Sequence, residues 1–177
     1  MRKIILYIAA SIDGYIAGPN GEIDWLHSID NPDKLDFGYT KFYKSIDTTI
    51  MGNSTYKQIL SFGVNFPYPE KTNFVFTNNR SESDTDHVKF VNSDLEKFVI
   101  DLKNSSGKNI WLIGGGKTNS FFFNNNFIDE IILTTIPIIL GRGIPLFEDS
   151  VGKKKMRMSK IKSYNCGIVQ CIYKLNE

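Results

Sequence analysis

The stretch Asn109-Ile110-Trp111-Leu112-Ile113-Gly114-Gly115-Gly116-Lys117 carries the clearest chemical potential in this chain. A short apolar run stops at three glycines, and a helix-like segment follows. Backbone N–H groups at a helix start have no intrahelical partner and carry partial positive charge, which suits a phosphate. Glycine has no Cβ, so a diphosphate can approach the backbone closely. A second junction, Gly52-Asn53-Ser54-Thr55-Tyr56, follows another apolar run and adds amide and hydroxyl side chains to a helix's first turn. Neither stretch is the G-x-G-x-x-G or the G-x-x-x-x-G-K-S/T fingerprint. A glycine-rich turn after a buried strand is the other reading of the same residues. Asp24-Trp25 sets an acid beside a large flat aromatic. Its other reading is a capping Asp and a partly buried Trp.

These residues need elements to position them. Lys3 to Ala10 is an isoleucine-rich run that reads as a strand buried on both faces. The loop Ser11-Ile12-Asp13-Gly14-Tyr15-Ile16-Ala17 follows, at the end of a buried strand where α/β proteins place their sites. Pro32 to Ile46 reads as a helix, with Leu35, Tyr39, Phe42, Tyr43 and Ile46 near one face. Thr48 to Met51 and Thr72 to Thr77 read as further strands, the latter running into Asn78-Asn79-Arg80. Val88 to Val91 is a short strand, and Ser93 and Asp94 can cap a helix that runs to Asn104. After the three glycines come a helix near Thr118 to Asn125, a strand from Ile128 to Ile136 and a glycine-rich crossing loop over 137–147. Met156 to Tyr164 and Cys166 to Leu175 form two strands joined by a short turn, hence antiparallel. The expected architecture is α/β, a mostly parallel sheet flanked by helices with an antiparallel C-terminal hairpin.

Composition narrows the function. A chain of 177 residues suits one domain, 1–177, with a full core. The net charge of +2 is too small to argue for nucleic acid or an anionic membrane surface. No run approaches the length of a membrane span, and the start lacks the pattern of a signal peptide. The two cysteines, Cys166 and Cys171, fall on opposite faces of a strand-like stretch, which argues against a disulfide. His27 and His87 are isolated, so no metal site is expected. A reducing, cytoplasmic setting is expected.

The ordered set Ser11-Ile12-Asp13-Gly14-Tyr15-Ile16-Ala17, Met51-Gly52-x-x-Thr55-Tyr56, Ile113-Gly114-Gly115-Gly116, Ile128-Asp129-Glu130 and Pro137-x-x-Leu140-Gly141-x-Gly143-x-Pro145-Leu146-Phe147 covers nearly the whole chain. With Asp24-Trp25, it resembles the dihydrofolate reductase-like superfamily. Within that superfamily it is closest to the reductase C-terminal domain of the riboflavin-biosynthesis deaminase/reductase RibD. The resemblance implies a single α/β domain that binds NADPH and delivers hydride to a heterocyclic or sugar-linked substrate, as in 5-amino-6-(5-phosphoribosylamino)uracil reduction. It places Ala9, Ala10 and Ile16 at the nicotinamide, and Gly52, Asn53, Ser54 and Thr55 at phosphates. Thr77, Asn78 and Arg80 fall at the adenosine end. Gly114, Gly115, Gly116 and Lys117 fall at the diphosphate, and Trp25 faces the substrate. Asp24 is the candidate proton donor, because a carboxyl beside an aromatic wall can protonate a reduced nitrogen through a water. Asp30 is the reserve. Relatives are commonly dimers, and the C-terminal hairpin could supply a homodimer interface.

The chain departs from its relatives in two places. Asn53 stands where dihydrofolate reductases usually carry an arginine or lysine, leaving Arg80 to offer charge to a 2′-phosphate. These 177 residues contain no H-x-E or C-x-x-C of a zinc deaminase, so the bifunctional riboflavin enzyme is not expected. A dihydrofolate reductase with altered phosphate contacts, and a nucleotide-binding protein without chemistry, remain as alternatives.

Overall fold

A computed structural model describes residues 1–148 and 151–175. The chain runs through β1 (Ile4–Ser11), β2 (Tyr15–Ala17), a 3-10 turn (Asp24–His27), α1 (Tyr39–Lys44), β3 (Ile46–Gly52), α2 (Asn53–Ser61), β4 (Thr72–Phe76) and β5 (Lys89–Val91). It continues through α3 (Leu95–Asn104), β6 (Asn109–Gly114), α4 (Gly116–Asn124), β7 (Glu130–Ile136), β8 (Ile144–Pro145), β9 (Met156–Ser163) and β10 (Val169–Leu175).

Eight strands form one sheet in the order β5-β4-β3-β6-β1-β7-β10-β9. Every pair from β5 to β7 is parallel. β10 is antiparallel to both β7 and β9. This is the expected fold, a mostly parallel sheet closed by an antiparallel hairpin. The small pair β2–β8 lies outside that sheet.

Alternation along each strand sorts the core into two layers. Ile4 and Leu6 of β1, with Ile50 and Leu112, pack against Val99 of α3 and Phe122 of α4. Ile5 and Tyr7 turn the other way, onto Phe42 of α1 and Trp111. Met51 and Val75 meet Tyr56 and Ile59 of α2. Both faces of the central strands are therefore covered, which accounts for their unbroken apolar sequence.

The helix expected over Pro32 to Ile46 is much shorter, spanning only Tyr39–Lys44. Lys34, Phe37 and Gly38 have φ of 48°, 50° and 87°, a left-handed backbone that no α-helix accommodates. Ile46 begins β3 instead. Asp94 precedes α3 but is itself left-handed, and its side chain makes no capping bond. Among the described residues no helix is long and apolar enough to cross a membrane.

Candidate functional site

β4, β3, β6 and β1 are parallel neighbours in that order, so their C-terminal ends line one edge of the sheet. Helices α2 and α4 start at two of those ends, immediately after Gly52 and Gly115. The two junctions face each other reciprocally. A Cβ on Gly52 would stand 2.5 Å from Thr118 Oγ1, and a Cβ on Gly115 would stand 2.8 Å from Thr55 Oγ1. The Thr55 hydroxyl donates to the Gly114 carbonyl at 3.1 Å. Gly114 and Gly115 have φ of 101° and 99°, where side-chain-bearing residues are strained. Neither α2 nor α4 has a side-chain cap, so their first-turn N–H groups stay available beside the two threonine hydroxyls. Ser54 and Lys117 are exposed in these first turns. Gly116 is committed to packing, because a Cβ there would lie 2.7 Å from the Pro145 carbonyl oxygen.

On the β4 side the edge is polar. Asn53 Nδ2 donates to Thr77 Oγ1 at 3.2 Å and to Glu82 Oε1 at 3.1 Å. Those two acceptors orient the amide, and its Oδ1 is buried without a hydrogen-bond partner among the described residues. Lys57 Nζ lies 3.5 Å from the Glu82 carboxylate. The Asn53 amide, assisted by the Lys57 ammonium, holds the Glu82 carboxyl below the usual carboxylate range. Asn78 and Arg80 are exposed on the same loop.

On the β1 side the edge is apolar. Ala10 is buried, and Ala9 packs with Trp25, Ile136 and Ile168. Trp25 is 5% exposed, and its indole N–H is buried without an acceptor among the described residues. Asp24 and Asp30 are exposed, so solvent rather than an aromatic wall surrounds these acids. Gln58 of α2 donates to the Gly21 carbonyl and ties the segment before Asp24 to α2. Ile16 is half-buried in β2. Asp13 accepts from Ser11 Oγ at 2.6 Å and from the Leu140 and Gly141 N–H groups at 3.1 and 2.7 Å. These bonds, the Ser11 hydroxyl first, hold its carboxyl below the usual range, and they lash the β1 loop to the loop after β7.

The sequence profile described as the RibD C-terminal domain matches residues 64–170. The chain belongs to the RibD C-terminal domain family. YwjB of Bacillus subtilis (strain 168), itself described as uncharacterized, is 41% identical over 163 residues, 92% of each chain. YyaP of the same organism, also described as uncharacterized, is 33% identical over 189 residues, covering 99% of this chain and 96% of that protein. The crystal structure of a putative riboflavin biosynthesis protein from Shewanella sp. PV-4 superposes with a TM-score of 0.89 at 33% identity over the whole of both chains. A diaminohydroxyphosphoribosylaminopyrimidine deaminase/5-amino-6-(5-phosphoribosylamino)uracil reductase from Thermotoga maritima shares the fold, with a TM-score of 0.74 at 17% identity. That likeness covers 99% of this chain and 57% of the Thermotoga chain.

Within this RibD C-terminal domain, sequence reasoning missed Thr118, Glu82 and the lashing role of Asp13. A signal for Thr118 was present. Gly52-x-x-Thr55 and Gly115-x-x-Thr118 repeat one spacing, which sets a threonine in the first turn of each helix. Glu82 had no such signal, because only the return of the chain after β4 brings it to Asn53.

Proposed function

We propose that this RibD C-terminal domain is a reductase that uses a reduced nicotinamide dinucleotide. Its substrate would be a C=N-bearing or sugar-linked pyrimidine of the kind named for the Thermotoga enzyme. The reciprocal placement of Gly52 against Thr118 and Gly115 against Thr55 carries the reading. It brings two uncapped helix starts together with a threonine side chain packed over each glycine, and their first-turn N–H groups suit a diphosphate. NADPH is the dinucleotide the family likeness suggests.

The bound dinucleotide would supply the hydride. The chain's own residues bind, orient and protonate. The Asn53, Ser54 and Thr55 N–H groups and the Thr118 hydroxyl hold the diphosphate, the Thr55 hydroxyl being given to the Gly114 carbonyl, and exposed Lys117 adds charge. Ala9 and Ala10, small at the end of β1, leave room for a flat ring, and Trp25 and Ile136 keep that end dry. The unpaired Trp25 indole N–H orients a substrate acceptor. Asp24, exposed beside it, passes a proton through water to the reduced nitrogen, with Asp30 next along the chain. We place the expected homodimer contact on the hairpin β9–β10, where Met158 and Ile161 are 50% and 57% exposed. A monomeric mass by light scattering would remove that contact.

The test is a turnover assay with purified protein, a reduced dinucleotide, and aminopyrimidine ribosyl phosphates or dihydropterins. The expected result is loss of dihydronicotinamide absorbance that depends on both protein and substrate. Dinucleotide binding without turnover on any of these substrates favours a non-catalytic nucleotide-binding protein. No dinucleotide binding at high micromolar concentration defeats the cofactor assignment.

A further inference from the structure

We propose that Glu82 and Asn53 form a clamp for an unphosphorylated adenosine ribose, so that this chain binds NADH at least as tightly as NADPH. The proposal rests on the dinucleotide reading above and goes beyond it by choosing between the two cofactors.

The direction of the ligand along the sheet edge follows from the chemistry of its two ends. The diphosphate site lies over β3 and β6. From there one direction leads over β1 to Ala9, Ala10, Trp25 and Ile136, an apolar end suited to a ring that must react away from water. The other leads over β4, one strand spacing of about 4.8 Å beyond β3, to Asn53, Thr77 and Glu82. Ribose hydroxyls need hydrogen-bonding partners, and these residues supply them. The adenosine ribose therefore falls at Asn53.

What waits there is a pair of acceptors. The Glu82 carboxylate is acceptor-only when ionised. The Asn53 amide nitrogen is already turned to Glu82 and Thr77, which leaves Asn53 Oδ1 as the second acceptor, buried and unsatisfied among the described residues. An acceptor pair seeks a donor, and a ribose 2′-hydroxyl is one. A 2′-phosphate offers acceptors only, carries up to two negative charges, and meets a carboxylate. Rossmann folds choose their dinucleotide by the same charge logic, an acid at the ribose 2′-hydroxyl or a base at the 2′-phosphate. The nearby cation Lys57 already faces Glu82 at 3.5 Å. Arg80, exposed on the same loop, is the group on which the opposite preference would have to rest.

Calorimetric titration of the full chain with NADH and with NADPH tests this directly. Wild type is expected to bind NADH at least as tightly as NADPH. Glu82→Gln removes the charge and is expected to shift the ratio of the two dissociation constants by about tenfold toward NADPH. The double variant Asn53→Arg/Glu82→Gln should carry the ratio further the same way. Tighter binding of NADPH by wild type, or a ratio unmoved by Glu82→Gln, overturns the clamp and leaves the dinucleotide reading standing. Failure of both dinucleotides to bind overturns that reading, and the clamp with it.

Discussion

The Thr55 hydroxyl donates to the Gly114 carbonyl at 3.1 Å, which joins the first turn of α2 to the end of β6. One hydrogen bond thereby locks the two glycine junctions into a single strip, and the same Oγ1 borders the space over Gly115. Gly115→Ala puts a methyl group into that strip, at a φ of 99° that alanine adopts only under strain. We expect dinucleotide affinity to fall by at least about tenfold and stability to fall by about 1–3 kcal/mol. Titration calorimetry and denaturant unfolding of the variant measure both. Wild-type affinity in Gly115→Ala would sink the assignment of this strip to the diphosphate.

Asp24 is exposed beside the buried Trp25, so water reaches it and the fold does not depend on it. Asp24→Asn keeps the shape and removes the acid. Turnover is expected to fall by about two to four orders of magnitude, while dinucleotide affinity and melting temperature stay near wild type. Unchanged turnover in Asp24→Asn, with Asp30→Asn impaired instead, would move the proton donor to Asp30.

How legible these features were in the sequence depended on the range of the interaction that creates them. β1, β3 and β6 were readable because burial on both faces leaves a dense local run that ends at a loop or a glycine. The helix over Pro32 to Ile46 was misjudged because its apolar spacing is real, but the left-handed backbone at Lys34, Phe37 and Gly38 breaks it before Tyr39. The glycine junctions were legible one at a time. Their reciprocity was not, because Gly52 meets Thr118 only through the adjacency of β3 and β6, which no local pattern encodes. Glu82 was invisible for the same reason.

Asn73 shows how a loop is held from inside the core. It is 2% exposed, accepts the Thr49 hydroxyl at 2.8 Å, and its two amide N–H groups serve the carbonyls of Tyr68, Lys71 and His87, one of them shared between two oxygens. Asn73→Leu is close in size but leaves buried carbonyls and the Thr49 hydroxyl without this partner. We expect a loss of about 2–4 kcal/mol, several buried hydrogen bonds at roughly 1–3 kcal/mol per unsatisfied group with partial relaxation. Urea unfolding decides it. A loss below about 1 kcal/mol would mean that the loop before β4 is held by other contacts.

Tyr7 sits in the aromatic layer under α1, stacked on Phe42 at 4.2 Å between ring centroids. Burial pushes its phenol from 10.0 up to about 12, opposed by a hydrogen bond with Gln170. The sign follows from proton counts. Between pH 10 and 12 the unfolded chain has lost this proton and the folded chain keeps it. The stabilisation is therefore fully present below pH 10 and is lost as pH rises through about 12. Other buried tyrosines, Tyr68 among them, shift in the same direction, so wild-type data alone do not isolate Tyr7. The comparison with Tyr7→Phe does, because phenylalanine keeps the stacking and cannot ionise. Urea unfolding at pH 9 and again near pH 11.5 should show wild type losing more stability than Tyr7→Phe, by an amount on the order of 1–2 kcal/mol. Equal losses in the two proteins would mean that Tyr7 ionises in the folded state as readily as in the unfolded chain.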